Sequence, residues 1–175
     1  MLTLKLGGTG MGAARRILDS VEIMIGRAKS DRISVVVSAV AGISNKLQTA
    51  IDGCASGGTA ESFVSELRRI HADICAEIKS ALPEFSTESV NAKIEPLFSE
   101  LEKLLAGLTV FGECPDTVHC RIMGMGELIC APIVEAVLLA KKQSFLLLYS
   151  RNFIYTTGDQ KEGEPDYAHC ADAFA

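Results

Sequence analysis

Hydrophobic and polar positions along this chain fall into strand-like and helix-like stretches in a clear order. Residues 2–6 form a short apolar strand carrying one lysine, Lys5, and the strand runs into Gly7-Gly8-Thr9-Gly10-Met11-Gly12. From near Gly12 to about Lys29, Ile17, Val21, Met24 and Ala28 recur at helical spacing, widened by Leu18 and Ile25. Ser30-Asp31-Arg32 reads as a turn, and Ile33 to Val37 as a β-branched strand covered on both faces. Strand, helix, strand in this order is a βαβ unit, with a right-handed crossover. A further helix is expected from Asn45 to Cys54, followed by a flexible break at 53–59.

A long helical hairpin then spans about 59–108. Phe63, Leu67, Ile70, Ile74 and Ile78 form its first stripe, Pro83 breaks the chain, and Ile94, Leu97, Leu101, Leu104 and Leu108 form its second. His71, beside the first stripe, reads as a surface or boundary residue. A helical pattern from Thr117 to about Lys142 contains Met123-Gly124-Met125-Gly126-Glu127-Leu128, with Pro132 expected to kink it. Phe145 to Tyr149 reads as a third parallel strand, 150–157 as holding a short extended piece, and the tail from Gly158 as polar, then mildly helical.

Composition narrows the class. With 175 residues, of which 48% are hydrophobic, and a mean hydropathy of +0.25, one well-packed domain or most of one is expected. A net charge of −5 and a pI near 5.2 argue against a general nucleic-acid partner. No apolar run is read as approaching the roughly 20 residues of a membrane span, and nothing precedes the first strand that would serve as a signal peptide. The expected location is the cytoplasm. Six cysteines are present without a CxxC pair, and the Cys114, His119, Cys120 spacing matches no zinc finger, so reduced thiols and no metal site are expected.

Three stretches carry candidate chemistry. Gly7-Gly8 removes the Cβ atoms that would hold a ligand off the backbone, and amides at the following helix start suit a phosphate, with Lys5 adding a positive charge. The same stretch also reads as a tight connection with an exposed lysine. Ser38-Ala39-Val40-Ala41-Gly42-Ile43-Ser44 ends the second strand at the edge where open α/β sheets bind ligands. Ser38 and Ser44 suit a carboxylate or phosphate, although Ser44 also reads as a plain N-cap. Gly124 and Gly126 permit close approach by a ligand or a neighbouring backbone. Glu127 could then accept hydrogen bonds from an amine or stand as a surface charge. Lys5, Ser38 and Glu127 are expected to converge at one sheet edge.

These motifs carry a family resemblance. Lys5-Leu-Gly-Gly-Thr resembles the K-F-G-G-[ST] motif of aspartate kinases, and 36–47 resembles their V-V-S-A-x-A-G-x-T-N-x-L. Gly126-Glu127-Leu128 resembles their G-E-[RL], and Arg151 to Asp166 is similar to the segment after the next strand. The resemblance implies an α/β amino-acid kinase fold, a three-layer αβα sandwich with a mostly parallel open sheet. It further implies that residues 1–175 are the N-terminal, aspartate-binding part of that domain. The implied reaction transfers the γ-phosphoryl group of Mg·ATP to the side-chain carboxylate of L-aspartate, the first step toward lysine, threonine and methionine. By this likeness Lys5 stabilises the transferring group, Gly7, Gly8 and Thr9 line the phosphate path, and Ser38, Ser44 and Glu127 hold aspartate. ATP and Mg2+ are the implied cofactors. The implied partners are copies of the chain or a missing C-terminal half.

Several positions depart from the pattern. Leu6, Gly10 and Ser44 replace phenylalanine, serine and threonine, and Tyr149-Ser150-Arg151 replaces an Asp-small-Arg triplet. The G-R-G-G-S-D motif that the family places further on is absent, which suggests a fragment or a short form, inactive alone. Asp159 and Asp166, carboxylates of the tail, align with a peripheral segment. Two other readings stay open: a non-catalytic amino-acid-binding relative, and a nucleotide-binding oxidoreductase using Gly7, Gly10 and Gly12. The latter lacks the acidic residue expected at the end of the second strand, where Val37-Ser38 stands.

Overall fold

Residues 1–158 and 162–174 are described by the computed structural model of the chain. The N-terminal unit forms as the apolar pattern predicts. Strand β1 (Leu2–Leu6) leads through a 3₁₀ turn (Gly8–Met11) into helix α1 (Ala14–Ala28), and the chain returns as β2 (Ile33–Val37). β1 and β2 pair in parallel, Leu2 opposite Ile33 and Leu6 opposite Val37. Burial alternates along both strands, so Leu2, Leu4, Leu6, Ile33, Val35 and Val37 face the protein, whereas Thr3, Lys5, Ser34 and Val36 lie open. This corrects the expectation of a strand covered on both faces. α1 and α6 pack against β2, and Val36 remains 51% exposed.

The remaining helices are α2 (Ile43–Ala55), α3 (Ala60–Ala81), α4 (Thr87–Phe111), α5 (Asp116–Met123), α6 (Met125–Ala140) and α7 (Tyr167–Phe174). α3 and α4 form the expected hairpin and pack on each other, and α4 also packs on α2 and α6. Ser86 caps α4 by accepting from the Ser89 amide at 3.1 Å, and Gly112, with φ +73°, ends it. The expected helix at 117–142 forms as two, α5 and α6, meeting at Gly124, and Pro132 lies inside α6. Ion pairs join the helix surfaces: Lys46 to Glu66 and Lys93 to Glu135, each at 2.6 Å, and Arg68 to Glu95. Such exposed pairs contribute about 0–1 kcal/mol each.

His71 departs from its expected surface position. It is fully buried, because it lies on the same α3 face as Leu67, Ile74, Cys75 and Ile78. Its Nδ1 is 2.7 Å from the Leu67 carbonyl, which can only accept, so Nδ1 carries the proton. The ring meets Phe98 edge-on at 5.6 Å, and Nε2 has no partner. Burial holds the imidazole below its ordinary pKa. Burial likewise pushes the Cys75 thiol up to about 11 and the Cys130 thiol up to about 12, so neither is a ready nucleophile.

Two further expectations are corrected. The stretch Asp116–Ala140 is apolar enough, at a mean hydropathy of 1.9, to match a membrane span in length and composition. Its α6 portion is apolar on nearly every side because it packs against α4, α1, α2 and β2. Residues 143–149 pair with no strand among the described residues, and Leu146 and Leu148 stand 80% and 55% exposed. The segment is apolar, but a strand needs a neighbour to accept its ladder. A second, antiparallel pair joins β3 (Thr156–Thr157) to β4 (Glu164–Pro165). Asp159 lies outside the described residues.

Candidate functional site

The glycine turn is built by its neighbours. Gly7 is the N-cap of the 3₁₀ turn, and no side chain caps it. The Gly10 amide donates to the Gly7 carbonyl at 2.9 Å, closing the turn. Met11, fully buried, anchors its far end in the core. Lys5, exposed at the end of β1, has its Nζ 3.5 Å from where a Cβ on Gly7 would stand. The lysine tip thus hangs over the bare backbone of the turn. Amides at the start of such a turn have no intrahelical acceptor.

The second stretch continues the ladder by one residue, since the Ser38 amide donates to the Leu6 carbonyl at 3.1 Å. The chain then turns through Ala39-Val40-Ala41 to Gly42, whose φ of +80° is a left-handed conformation that favours glycine. Gly42 is the N-cap of α2, and no side chain caps this helix. Ser44 stands exposed in its first turn, so the capping role open to it in sequence does not arise.

The third stretch starts α6. Glu127 is exposed in the first turn, where a carboxylate is favoured by the helix dipole. A Cβ on Gly126 would stand 2.8 Å from the Ala39 Cβ, and one on Gly12 3.0 Å from the Ala41 Cβ. The loop 38–42 is therefore wedged between the glycine turn on one side and the start of α6 on the other. Ala39 and Ala41 make this possible because anything larger would hold the segments apart. Their small size is visible in sequence, but their partners are not. Thus the three stretches carrying Lys5, Gly7, Gly8, Thr9, Ser38, Ser44 and Glu127 are brought side by side.

Sequence reading missed Ser20. This serine of α1 is buried, 5% exposed, and its Oγ donates to the Gly10 carbonyl at 3.0 Å. No local signal marks it, because it lies on a helix face otherwise read as packing.

Other polar groups lie apart. The His119 Nε2 meets the Gln48 Oε1 at 2.9 Å. No group of three or more His, Cys, Asp or Glu side chains able to hold a metal occurs among the described residues. A concavity of about 520 Å³ lies between α4, α6 and 147–151, lined by Lys93, Leu128, Pro132, Glu135, Tyr149 and Arg151. Its lining does not include the glycine turn.

Comparison with known proteins bears out the aspartate kinase resemblance. The chain is 24% identical over 159 residues to the bifunctional aspartokinase/homoserine dehydrogenase of Buchnera aphidicola (subspecies Acyrthosiphon pisum, strain APS), covering 91% of this chain and 20% of that protein. Escherichia coli aspartokinase III in complex with aspartate and ADP matches 99% of the chain with a TM-score of 0.83 at 21% identity. The same enzyme with lysine and aspartate gives 0.82 at 20% identity. The aspartate kinase of Clostridium acetobutylicum gives 0.67 at 14% identity. This chain spans 36% of the E. coli enzyme chains and 35% of the Clostridium one. No family model matches. The fold is thus that of a part of the aspartokinases.

Proposed function

We propose that this chain is the aspartate-binding, N-terminal part of an amino-acid kinase domain, in a protein that phosphorylates the side-chain carboxylate of L-aspartate. What supports this reading above all is the wedging of loop 38–42 between the glycine turn and the start of α6. Residues that resemble three separate aspartate kinase motifs are adjacent through that contact. The aspartokinase neighbours, one of them bound to aspartate and ADP, agree with it.

Each residue has a physical task in this reading. Gly7, Gly8 and Thr9 present backbone amides to a phosphate, in a turn where Gly8 also lies against the Ala41 backbone. Lys5 offsets charge on the group being transferred. Glu127 accepts hydrogen bonds from the substrate ammonium, and Ser38 and Ser44 donate to its carboxylates. ATP, when bound, supplies the γ-phosphoryl group, and the uncapped glycine turn fits its phosphates. Among the described residues no group of three or more His, Cys, Asp or Glu side chains would cage Mg2+ by itself. Phosphoryl transfer rests on positioning and charge neutralisation, which this arrangement offers without a covalent nucleophile. The three-layer αβα sandwich belongs to the same proposal: the open face of Thr3, Lys5, Ser34 and Val36 awaits a second helical layer.

Isothermal titration of residues 1–175 with L-aspartate, ATP and NAD tests the reading. Aspartate binding that Glu127→Ala weakens about tenfold or more is expected, a charged hydrogen bond being worth about 1.5–3 kcal/mol. Binding of NAD without aspartate would favour the oxidoreductase. Coupled ADP release with hydroxylamine trapping should show no turnover by this chain alone. Aspartate-dependent turnover would show a complete site within these residues.

A further inference from the structure

We propose that Ser20 is a positioning residue for the glycine turn, an inference resting on the phosphate role proposed for Gly7, Gly8 and Thr9. A serine inside a helix ordinarily bonds the carbonyl one turn back on its own helix. Ser20 instead reaches ten residues back, and its Oγ donates to the Gly10 carbonyl at 3.0 Å. Only Ser20 and His71 are buried polar side chains among the described residues. The Ser20 hydroxyl is spent on the turn.

The contact is tight as well as polar. A Cβ on Gly10 would stand 3.2 Å from the Ser20 Oγ, so the hydroxyl fills the space a side chain at position 10 would need. The turn has no side-chain cap at Gly7, and its internal closure is the Gly10-to-Gly7 bond at 2.9 Å. Gly10 is therefore held twice: its amide closes the turn and its carbonyl is tied to α1. The Gly10-to-Gly7 bond fixes the peptide plane that carries the Gly8 amide, and the Ser20 bond fixes the plane between Gly10 and Met11, so the turn that presents the Gly8 and Thr9 amides is held at both ends. A phosphate there meets donors already aimed, with less ordering to do on binding.

Ser20→Ala removes the donor, and Ser20→Cys keeps the volume with only a weak one. Amide hydrogen exchange is measured on the whole chain for both variants and the parent, alongside titration with inorganic pyrophosphate and with L-aspartate. Exchange at residues 8–12 should accelerate on the order of tenfold in both variants, as expected for a lost hydrogen bond to a part-buried carbonyl. Protection in α3 and α4 should not change. Pyrophosphate affinity should fall several-fold and aspartate affinity hold. Unchanged exchange at 8–12, acceleration spread evenly over the chain, or a cysteine variant that behaves like the parent would overturn the positioning role. Faster exchange with undiminished pyrophosphate affinity would overturn its link to the ligand. If the parent chain binds aspartate but no pyrophosphate, the phosphate path itself fails, and with it the link to the ligand.

Discussion

Replacing Gly126 by alanine tests the contact on which the site depends. The new methyl would stand 2.8 Å from the Ala39 Cβ, 3.4 Å from the Ile43 Cγ2 and 3.6 Å from the Leu47 Cδ1. All three neighbours are buried, at 2%, 1% and 0% exposure. The Ala39 methyl has no rotamer to change, so relief must come from moving the backbone of loop 38–42 or of α6. Overpacking of this kind costs about 1–3 kcal/mol. Alanine's better helix propensity returns at most about 1 kcal/mol. Because no rotamer change relieves the 2.8 Å contact, the cost lies toward the upper end of that range, and the expected net loss is about 2 kcal/mol, or a fall in Tm of roughly 4–8 °C for a chain of this size.

Gly107→Ala is the matched control. Gly107 lies inside α4, and a Cβ there would meet nothing within 4 Å. Only the helix propensity acts, so this variant should gain about 0.5–1 kcal/mol. Urea unfolding of the two variants beside the parent measures both. Opposite signs are expected. A Gly126→Ala protein as stable as the parent, beside a stabilised Gly107→Ala, would show that loop 38–42 and α6 are not locked together. Aspartate affinity gives a second reading: in the proposed site, shifting α6 displaces Glu127 relative to Ser38 and Ser44 and should weaken binding.

Three further outcomes are expected. Because burial lowers the His71 pKa in the folded chain, the unfolded chain binds the extra proton as pH falls below about 6.5. Stability from this group is full above that pH and falls below it, by up to about 1.4 kcal/mol per unit, until the folded pKa is reached. His71→Leu should flatten that slope in unfolding midpoints taken between pH 5 and 7, and an unchanged slope would remove His71 as its source. In a protein extended to full aspartokinase length, Lys5→Ala should lower kcat by roughly 10²–10³-fold with little change in the aspartate KM, as for a charge acting in the transition state. Near-normal turnover would remove that role. In the same protein Glu127→Ala should chiefly raise the aspartate KM, and a fall in kcat alone would place Glu127 elsewhere in the reaction.

Why the sequence revealed some of this and not the rest follows from the range of each interaction. β1, the glycine turn, α1 and β2 were legible because their signals are local: a short apolar run, glycines that end it, and a stripe at 3.6 spacing. The α3–α4 hairpin was legible for the same reason, and its apolar stripes find each other. His71 was misread because its polarity outweighed its position. It stands four residues after Leu67 and three before Ile74, so the spacing alone argued for burial. What permits that burial is the Leu67 carbonyl, a backbone partner the pattern of side chains does not display.

The strand expected at residues 145–149 failed for the opposite reason. Their apolar character states a demand for cover, but whether a strand forms depends on which neighbour accepts its hydrogen bonds, and apolar composition does not name one. The site lies between these cases. The residues proposed for its chemistry could be picked out in sequence because glycine, serine and lysine at the ends of strands and helices have few structural uses there. The assembly of those residues could not, because it runs through Ala39, Ala41, Gly12 and Gly126, whose whole contribution is to be small. A missing side chain leaves no periodicity and no charge. It becomes meaningful only when the partner 87 positions away is known, because a Cβ on Gly126 would stand 2.8 Å from the Ala39 Cβ. The residues proposed to carry the chemistry and those that bring them together are therefore different sets. Substitutions in the second set should disturb ligand binding and stability at once, whereas Lys5 and Glu127, both exposed, should change function while leaving the fold intact.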